Sequence, residues 1–293
     1  MDKVKSLKEQ LYQSLILKNQ SRLPFFSNGF SNHFSMSLWS IKNLDAPLEV
    51  LKFQGSSERW TIFLKRYNIG FLPIPPSKGR INNENWLSHF GKPDYFSDYM
   101  EFLKKEDIIN DTAKLLQIYN QLVGFLDSAL FHPFIRFSIG YQDNNVDEQI
   151  ISLAYWITAI STHDKIQVTN NSNIKESDIE KILAHFANTA DFISLHYLTS
   201  YAAYLNLPQY LKEITGNHYS SLIDKFLNSI NFKEEILDEE GLNDSIVEKA
   251  KHAAFTSCDE HLIKIVYALM QLDGLKKLKG INRALEKAIK SSF

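Results

Sequence analysis

Near the end of the chain, His261 and Lys264 stand three residues apart, a spacing that puts two side chains on one face of a helix. The stretch Thr256-Ser-Cys-Asp-Glu-His-Leu-Ile-Lys-Ile-Val-Tyr-Ala-Leu-Met-Gln-Leu272 carries Leu262, Ile265, Val266, Leu269 and Leu272 at helical spacing, so that face borders an apolar stripe. An ionisable pair turned toward a core needs partners, because an unpaired buried charge is costly. A bound metal ion is one solution. A core imidazole beside a lysine that lays its stem along apolar surface is the plainer one. Nine histidines occur, at 33, 89, 132, 163, 185, 196, 218, 252 and 261. Four of them, His33, His132, His196 and His261, sit in apolar, small-residue or aromatic surroundings, in or at the start of a strong helical pattern; the other five lie in more polar or loop-like stretches. Neutral imidazole suits iron, zinc, copper or nickel, and imidazoles from separate helices can meet in a bundle core. Each histidine alone reads as structural, and periodicity leaves their convergence open.

The elements that must position these residues are helices. Residues 2–19 are amphipathic, with Val4, Leu7, Leu11, Leu15 and Leu17 on or near one side. A helix over 32–44 follows, capped by Ser31 or Asn32, and Pro47 opens another through Phe53. Four prolines and three glycines between 69 and 93 argue for a long loop, a candidate lid, containing a short helix that Gly91 ends. Helical patterns then run over 95–105, 107–130, from Pro133 to Tyr141 with His132 at the mouth, 147–161, 177–185, 191–205, 207–215, 219–228, 244–254 and 278–290. Residues 163–175 are a polar loop. Hardly any segment alternates with period two, so the expectation is an all-α fold: one helical domain over 1–293, about a dozen helices, with a metal site in the helical core.

Bulk composition narrows the function classes. The 293 residues are 44% hydrophobic and 23% charged, with a net charge of -2, so no long-range field favours nucleic acid or a membrane surface. No run of 18 apolar residues exists, and no membrane span is expected. A single cysteine, Cys258, and a charged N-terminus point to the reducing cytoplasm. Twenty Phe, 13 Tyr and 4 Trp supply core and the walls of a pocket for a flat substrate.

Five stretches carry a resemblance. They are Asn32-His33-Phe-Ser-Met36; Asn85-Trp86-Leu-Ser-His-Phe-Gly91; His132-Pro-Phe-Ile-Arg136-Phe-Ser-Ile-Gly-Tyr141 with Leu153-Ala-Tyr-Trp156; Leu195-His196-Tyr-Leu-Thr199; and Asp259-Glu-His261-Leu-Ile-Lys264. In this order, over residues 32 to 267, the chain resembles the questin-oxidase-like oxygenases. The resemblance implies oxidation of an aromatic, anthraquinone- or polyketide-like substrate with O2, by ring opening or Baeyer–Villiger-type chemistry. It further implies a mononuclear non-haem Fe(II) held by His33, His132, His196 and His261 together with a carboxylated Lys264. Carboxylation would turn a cation that repels the metal into an anionic ligand. Five ligands would leave about one open position on an octahedral ion. Where many relatives carry a further histidine beyond the His196 segment, this chain has Tyr201 and Ala202.

Two more residues are candidates for catalytic roles. Arg136 could anchor an anionic or phenolate substrate, or pair with an acidic neighbour such as Asp127 or Asp259. Asp259 could orient a ligand histidine or cap a helix. Flavin is not expected, since no Gly-x-Gly-x-x-Gly follows a strand; NADPH is the candidate reductant. Two other function classes stand beside the oxygenase. One is a helical metal-dependent phosphohydrolase built on His163-Asp164, and the other a non-catalytic helical binding protein.

Overall fold

The computed structural model describes residues 2–161, 165–168, 174–230 and 241–291. The described residues are 70% helical with almost no sheet, and they contain fourteen α-helices. Contacts divide it into two compact units, Met1–Pro73 with Glu176–Ala202 and Phe232–Phe293, and Ile74–Lys175 with Ala203–Asn231.

The first unit begins with α1 (Asp2–Asn19), α2 (Phe34–Asn43), α3 (Leu48–Gln54) and α4 (Ser57–Tyr67). Its only described sheet pairs β1 (Arg22–Phe26) antiparallel with β2 (Phe71–Pro73). Neither α4 nor this strand pair is expected from the sequence pattern. α4 starts because Ser56 caps it, its side chain accepting from Arg59 N, and it ends at Asn68 in the left-handed conformation. The second unit holds α5 (Phe96–Lys105), α6 (Thr112–Leu122), α7 (His132–Gln142) and α8 (Val146–Ala159). The chain then returns to the first unit with α9 (Glu176–Thr189) and enters α10 (Phe192–Leu205), whose last turn belongs to the second unit together with α11 (Gln209–Ser229). The first unit closes with α12 (Asp244–Thr256), α13 (Glu260–Lys276) and α14 (Ile281–Lys290).

Two expected helices are redrawn most. The helix expected over 107–130 begins only at Thr112, stops at Leu122, tightens into a 3-10 turn at Val123–Phe125, and gives way to three consecutive left-handed residues, Ala129, Leu130 and Phe131. The helices expected over 207–215 and 219–228 are one, α11, since Gly216 continues the helix under the Tyr204 hydroxyl.

In the first unit α13 packs on α2, with Trp39 Nε1 donating to the Tyr267 hydroxyl at 3.2 Å. α2 is buried along almost its whole length, from Phe34 to Ile41. In the second unit α7 packs closely on α8. A Cβ on Gly140 would lie 3.0 Å from Gln149 N, which is why glycine stands at this crossing. The proline-rich stretch is pinned to α5 by one carboxylate. Buried Asp98 accepts from the Ser77 hydroxyl, from the backbone of Lys78 and Arg80, and from Arg80 Nε. Its pKa stays below the usual carboxylate value: burial raises it, and the donors from Arg80, Ser77 and Lys78 together outweigh burial.

Candidate metal centre

His33 is the residue just before α2, in the N-cap position, but its imidazole does not cap the helix. Asn32 supplies the cap, its Oδ1 accepting from Phe34 N at 3.1 Å. Asn32 is itself held by Asn19 Oδ1 at 3.3 Å and Leu23 O at 3.2 Å, and Asn19 donates to Ser35 Oγ at 2.9 Å. This buried amide network fixes the backbone from which His33 projects. The His33 ring turns instead to Glu260, with Nδ1 2.8 Å from Oε2.

His261 and Lys264 come from the first turn and a half of α13. Asp259 caps that helix, its Oδ1 accepting from the backbone of His261 at 2.8 Å and Leu262 at 3.3 Å. The same oxygen lies 3.8 Å from His261 Nδ1, so capping and the neighbourhood of a histidine meet in one side chain. His196 comes from α10, fully buried, with Nδ1 2.7 Å from the Phe192 carbonyl one turn earlier.

These three imidazoles meet in the first unit. The ring centroids of His33 and His261 are 4.7 Å apart, and those of His196 and His261 are 5.5 Å apart. One ring nitrogen of His33 and one of His261 lie within 4.8 Å of each other. Phe192, 39% exposed, packs edge-on against both His196 and His261 and covers them. Lys264 is 3% exposed and close enough that its charge acts on all three rings.

The electrostatics keep the imidazoles neutral. Burial, then Lys264, His196 and Arg59, hold His33 well below its ordinary pKa. Burial and Lys264 bring His196 to about 3, against the pull of the Phe192 carbonyl. His261 is depressed by burial, then by Lys264 and the other two rings. Burial lowers Lys264 to about 7, opposed by Glu260 and Asp259, and raises Glu260 to about 7, opposed by Arg59 and Lys264.

A metal ion suits this donor set on two observations. His261 Nε2 is buried without a hydrogen-bond partner, a position that costs about 1–3 kcal/mol when nothing pairs with it. Nδ1 of both His33 and His196 faces an oxygen acceptor, which leaves the lone pair on Nε2, the arrangement found in metal-ligating histidines.

The other expected site residues belong to the second unit. His132 opens α7 with Pro133 behind it. It is buried, and its Nδ1 lies 2.5 Å from the Ala129 carbonyl. The three left-handed, non-glycine residues that lead into it are a local strain of a kind that gathers at functional sites. Arg136 meets an acid that the sequence pattern does not single out, Glu148. Its Nε and Nη2 donate to the two carboxylate oxygens of Glu148 at 2.8 and 3.2 Å, both residues being buried. His163 and Asp164, the basis of the phosphohydrolase alternative, lie outside the described residues.

Sequence reasoning overlooks Glu260 and Arg59. Arg59 Nη1 lies 3.3 Å from Glu260 Oε1, and Arg59 Nη2 donates to the Cys258 carbonyl at 3.1 Å. A glutamate in the first turn of a helix reads as a solvated partner of the helix dipole. Its burial becomes visible only when α2 and α4 are packed against α13.

A profile described as questin oxidase-like matches residues 30–188, more than half of the chain. The chain belongs to the questin oxidase-like family. Membership implies an oxidase-like enzyme acting on a small molecule. The matched segment contains His33 and His132, whereas His196, Glu260, His261 and Lys264 lie beyond it. No curated protein and no solved structure matches the chain. Among the described residues no helix is long and apolar enough to cross a membrane.

Proposed function

We propose that this questin oxidase-like protein is a mononuclear non-haem iron oxygenase that uses O2 to oxidise an aromatic, anthraquinone- or polyketide-like substrate, by ring opening or Baeyer–Villiger-type insertion. The observation that carries the reading is the cluster of neutral, buried imidazoles from His33, His196 and His261, with His261 Nε2 lacking any other partner. His132 joins the ligand set on the family resemblance and on the state of its own ring, which is buried with Nδ1 against a carbonyl. When bound, ferrous iron supplies the electrons that activate O2, which is otherwise unreactive toward a closed-shell aromatic.

The residues of the chain have the remaining tasks. Neutral imidazoles bind a divalent cation without first releasing protons, which favours loading at neutral pH. An ammonium at Lys264 would repel that cation. Its free amine can add CO2, forming an N–C bond and releasing one proton, and the resulting carbamate offers anionic oxygen donors. Phe192 covers the imidazoles and limits water beside them. Asp259 caps α13 and so fixes the backbone from which His261 projects. Inserting one oxygen atom from O2 and reducing the other to water takes two further electrons, for which NADPH is the candidate donor.

The test is elemental analysis of the purified protein, followed by oxygen uptake with hydroxylated anthraquinones. The expected result is close to one iron per chain and substrate-dependent O2 consumption that chelation abolishes. Zinc in place of iron with no O2 uptake would move the assignment to hydrolytic chemistry, and no bound metal at all would leave a helical binding protein.

A further inference from the structure

Three charged or polar side chains form a buried line in the first unit: Arg59 on α4, Glu260 on α13 and His33 before α2. Arg59 is 0% exposed, Glu260 1% and His33 6%. Compared with apolar residues of similar volume, a buried ion pair of this kind adds little net stability. What it does add is direction. Arg59 is pinned on two sides, by Nη2 donating to the Cys258 carbonyl at 3.1 Å and by its guanidinium lying 4.1 Å over the Trp60 ring. From that position Nη1 addresses Glu260 Oε1, and the second oxygen, Oε2, is presented to His33 Nδ1 at 2.8 Å.

We infer that Glu260, held by Arg59, is a positioning residue that fixes the tautomer of His33 and so presents its Nε2 lone pair to the metal. The inference rests on the metal-centre reading above and extends it to two residues outside the ligand set. A carboxylate accepts hydrogen bonds at both oxygens. It therefore places the imidazole proton on Nδ1 and leaves the lone pair on Nε2.

The geometry yields an unusual consequence. Glutamine has one acceptor oxygen and one NH2 group. Arg59 carries a permanent charge and donors only, so in Glu260→Gln it claims the amide oxygen. The NH2 then faces His33 Nδ1, which must accept. The proton moves to Nε2 and occupies the position the metal needs. Replacing Arg59 as well releases this constraint. In Arg59→Met/Glu260→Gln the amide can turn its oxygen to His33 and restore Nδ1–H.

The experiment compares wild type, Glu260→Gln and the double variant in mildly alkaline buffer. The His33 tautomer is read in the metal-free chain by long-range imidazole nitrogen–proton correlation, assigned against His33→Gln. Co2+ affinity is read by competition with a chromophoric chelator, and circular dichroism confirms the fold. Wild type is expected to show Nδ1–H. Glu260→Gln is expected to show Nε2–H and to bind Co2+ about 10–100-fold more weakly, and the double variant to recover most of that loss. An unchanged tautomer and affinity in Glu260→Gln overturns the inference, as does a loss that the second substitution does not relieve. If neither variant folds, the wild-type spectrum decides by itself: His33 carrying its proton on Nε2 overturns the inference, and Nδ1–H supports it. A wild-type chain that binds no Co2+ or iron refutes the metal-centre reading alone, because the tautomer measurements need no metal.

Discussion

Arg136 offers the sharpest separation between a structural and a catalytic role. Its guanidinium makes two hydrogen bonds to Glu148 across the α7–α8 contact, at 2.8 and 3.2 Å, with 1% and 3% of the two residues exposed. Arg136→Met removes one charge and leaves the other buried. Breaking such a pair costs about 3–5 kcal/mol, a large part of the ~5–15 kcal/mol that holds a domain together. At about 2–4 °C per kcal/mol, the melting temperature should fall by ~6–20 °C. The double variant Arg136→Met/Glu148→Leu leaves no orphaned charge and should return to within about 1 kcal/mol of wild type, since apolar replacement of both partners is close to neutral. Urea unfolding monitored by tryptophan fluorescence measures all three, because Trp156 lies on α8 and donates to the Phe125 carbonyl. On the iron-oxygenase proposal, the double variant should also keep its iron and its turnover. A stable, iron-loaded double variant with turnover abolished or KM strongly raised would refute the structural account and show that Arg136 touches substrate.

Other outcomes follow from the same geometry. On the same proposal, His261→Leu should lose nearly all bound iron by elemental analysis. The stability of its metal-free form should move by less than about 1 kcal/mol, because the substitution also deletes a buried, unpaired nitrogen. Phe192→Ala uncovers two imidazoles and should speed iron removal by a chelator without changing the ligand set; an unchanged rate would show that access lies elsewhere. For Asp98 the folded pKa is depressed, so its contribution to stability is present above the unfolded value of about 3.9 and is lost as pH falls through the lower folded value. Asp98→Asn should therefore flatten the acid limb of the stability–pH curve and open residues 77–80 to protease at neutral pH. Gly91→Ala should cost about 2–5 kcal/mol, because φ is +73° and the new Cβ would stand 2.3 Å from the Ile160 carbonyl oxygen; thermal melting would reveal it.

Helix positions were legible in the sequence because their causes are local. The apolar spacing of α13, the Asn32 cap before α2 and the proline behind His132 each act within a few residues. The four histidines stood out through the same local contrast, each an imidazole amid apolar neighbours. What local contrast cannot tell is which side chains meet. Glu260 finds His33 across 227 residues and Arg59 across 201, and Arg136 finds Glu148 from the neighbouring helix. A charge pattern names possible partners, but which pair forms depends on how α2, α4 and α13, or α7 and α8, lie against each other. The left-handed run at Ala129–Phe131 is also a tertiary product, since no single-residue preference puts alanine, leucine and phenylalanine there. The sequence thus determined that this is a helical protein with four unusually placed imidazoles. Only packing decided that three of them share one buried spot, and that a glutamate and an arginine of ordinary surface type hold one of them in place.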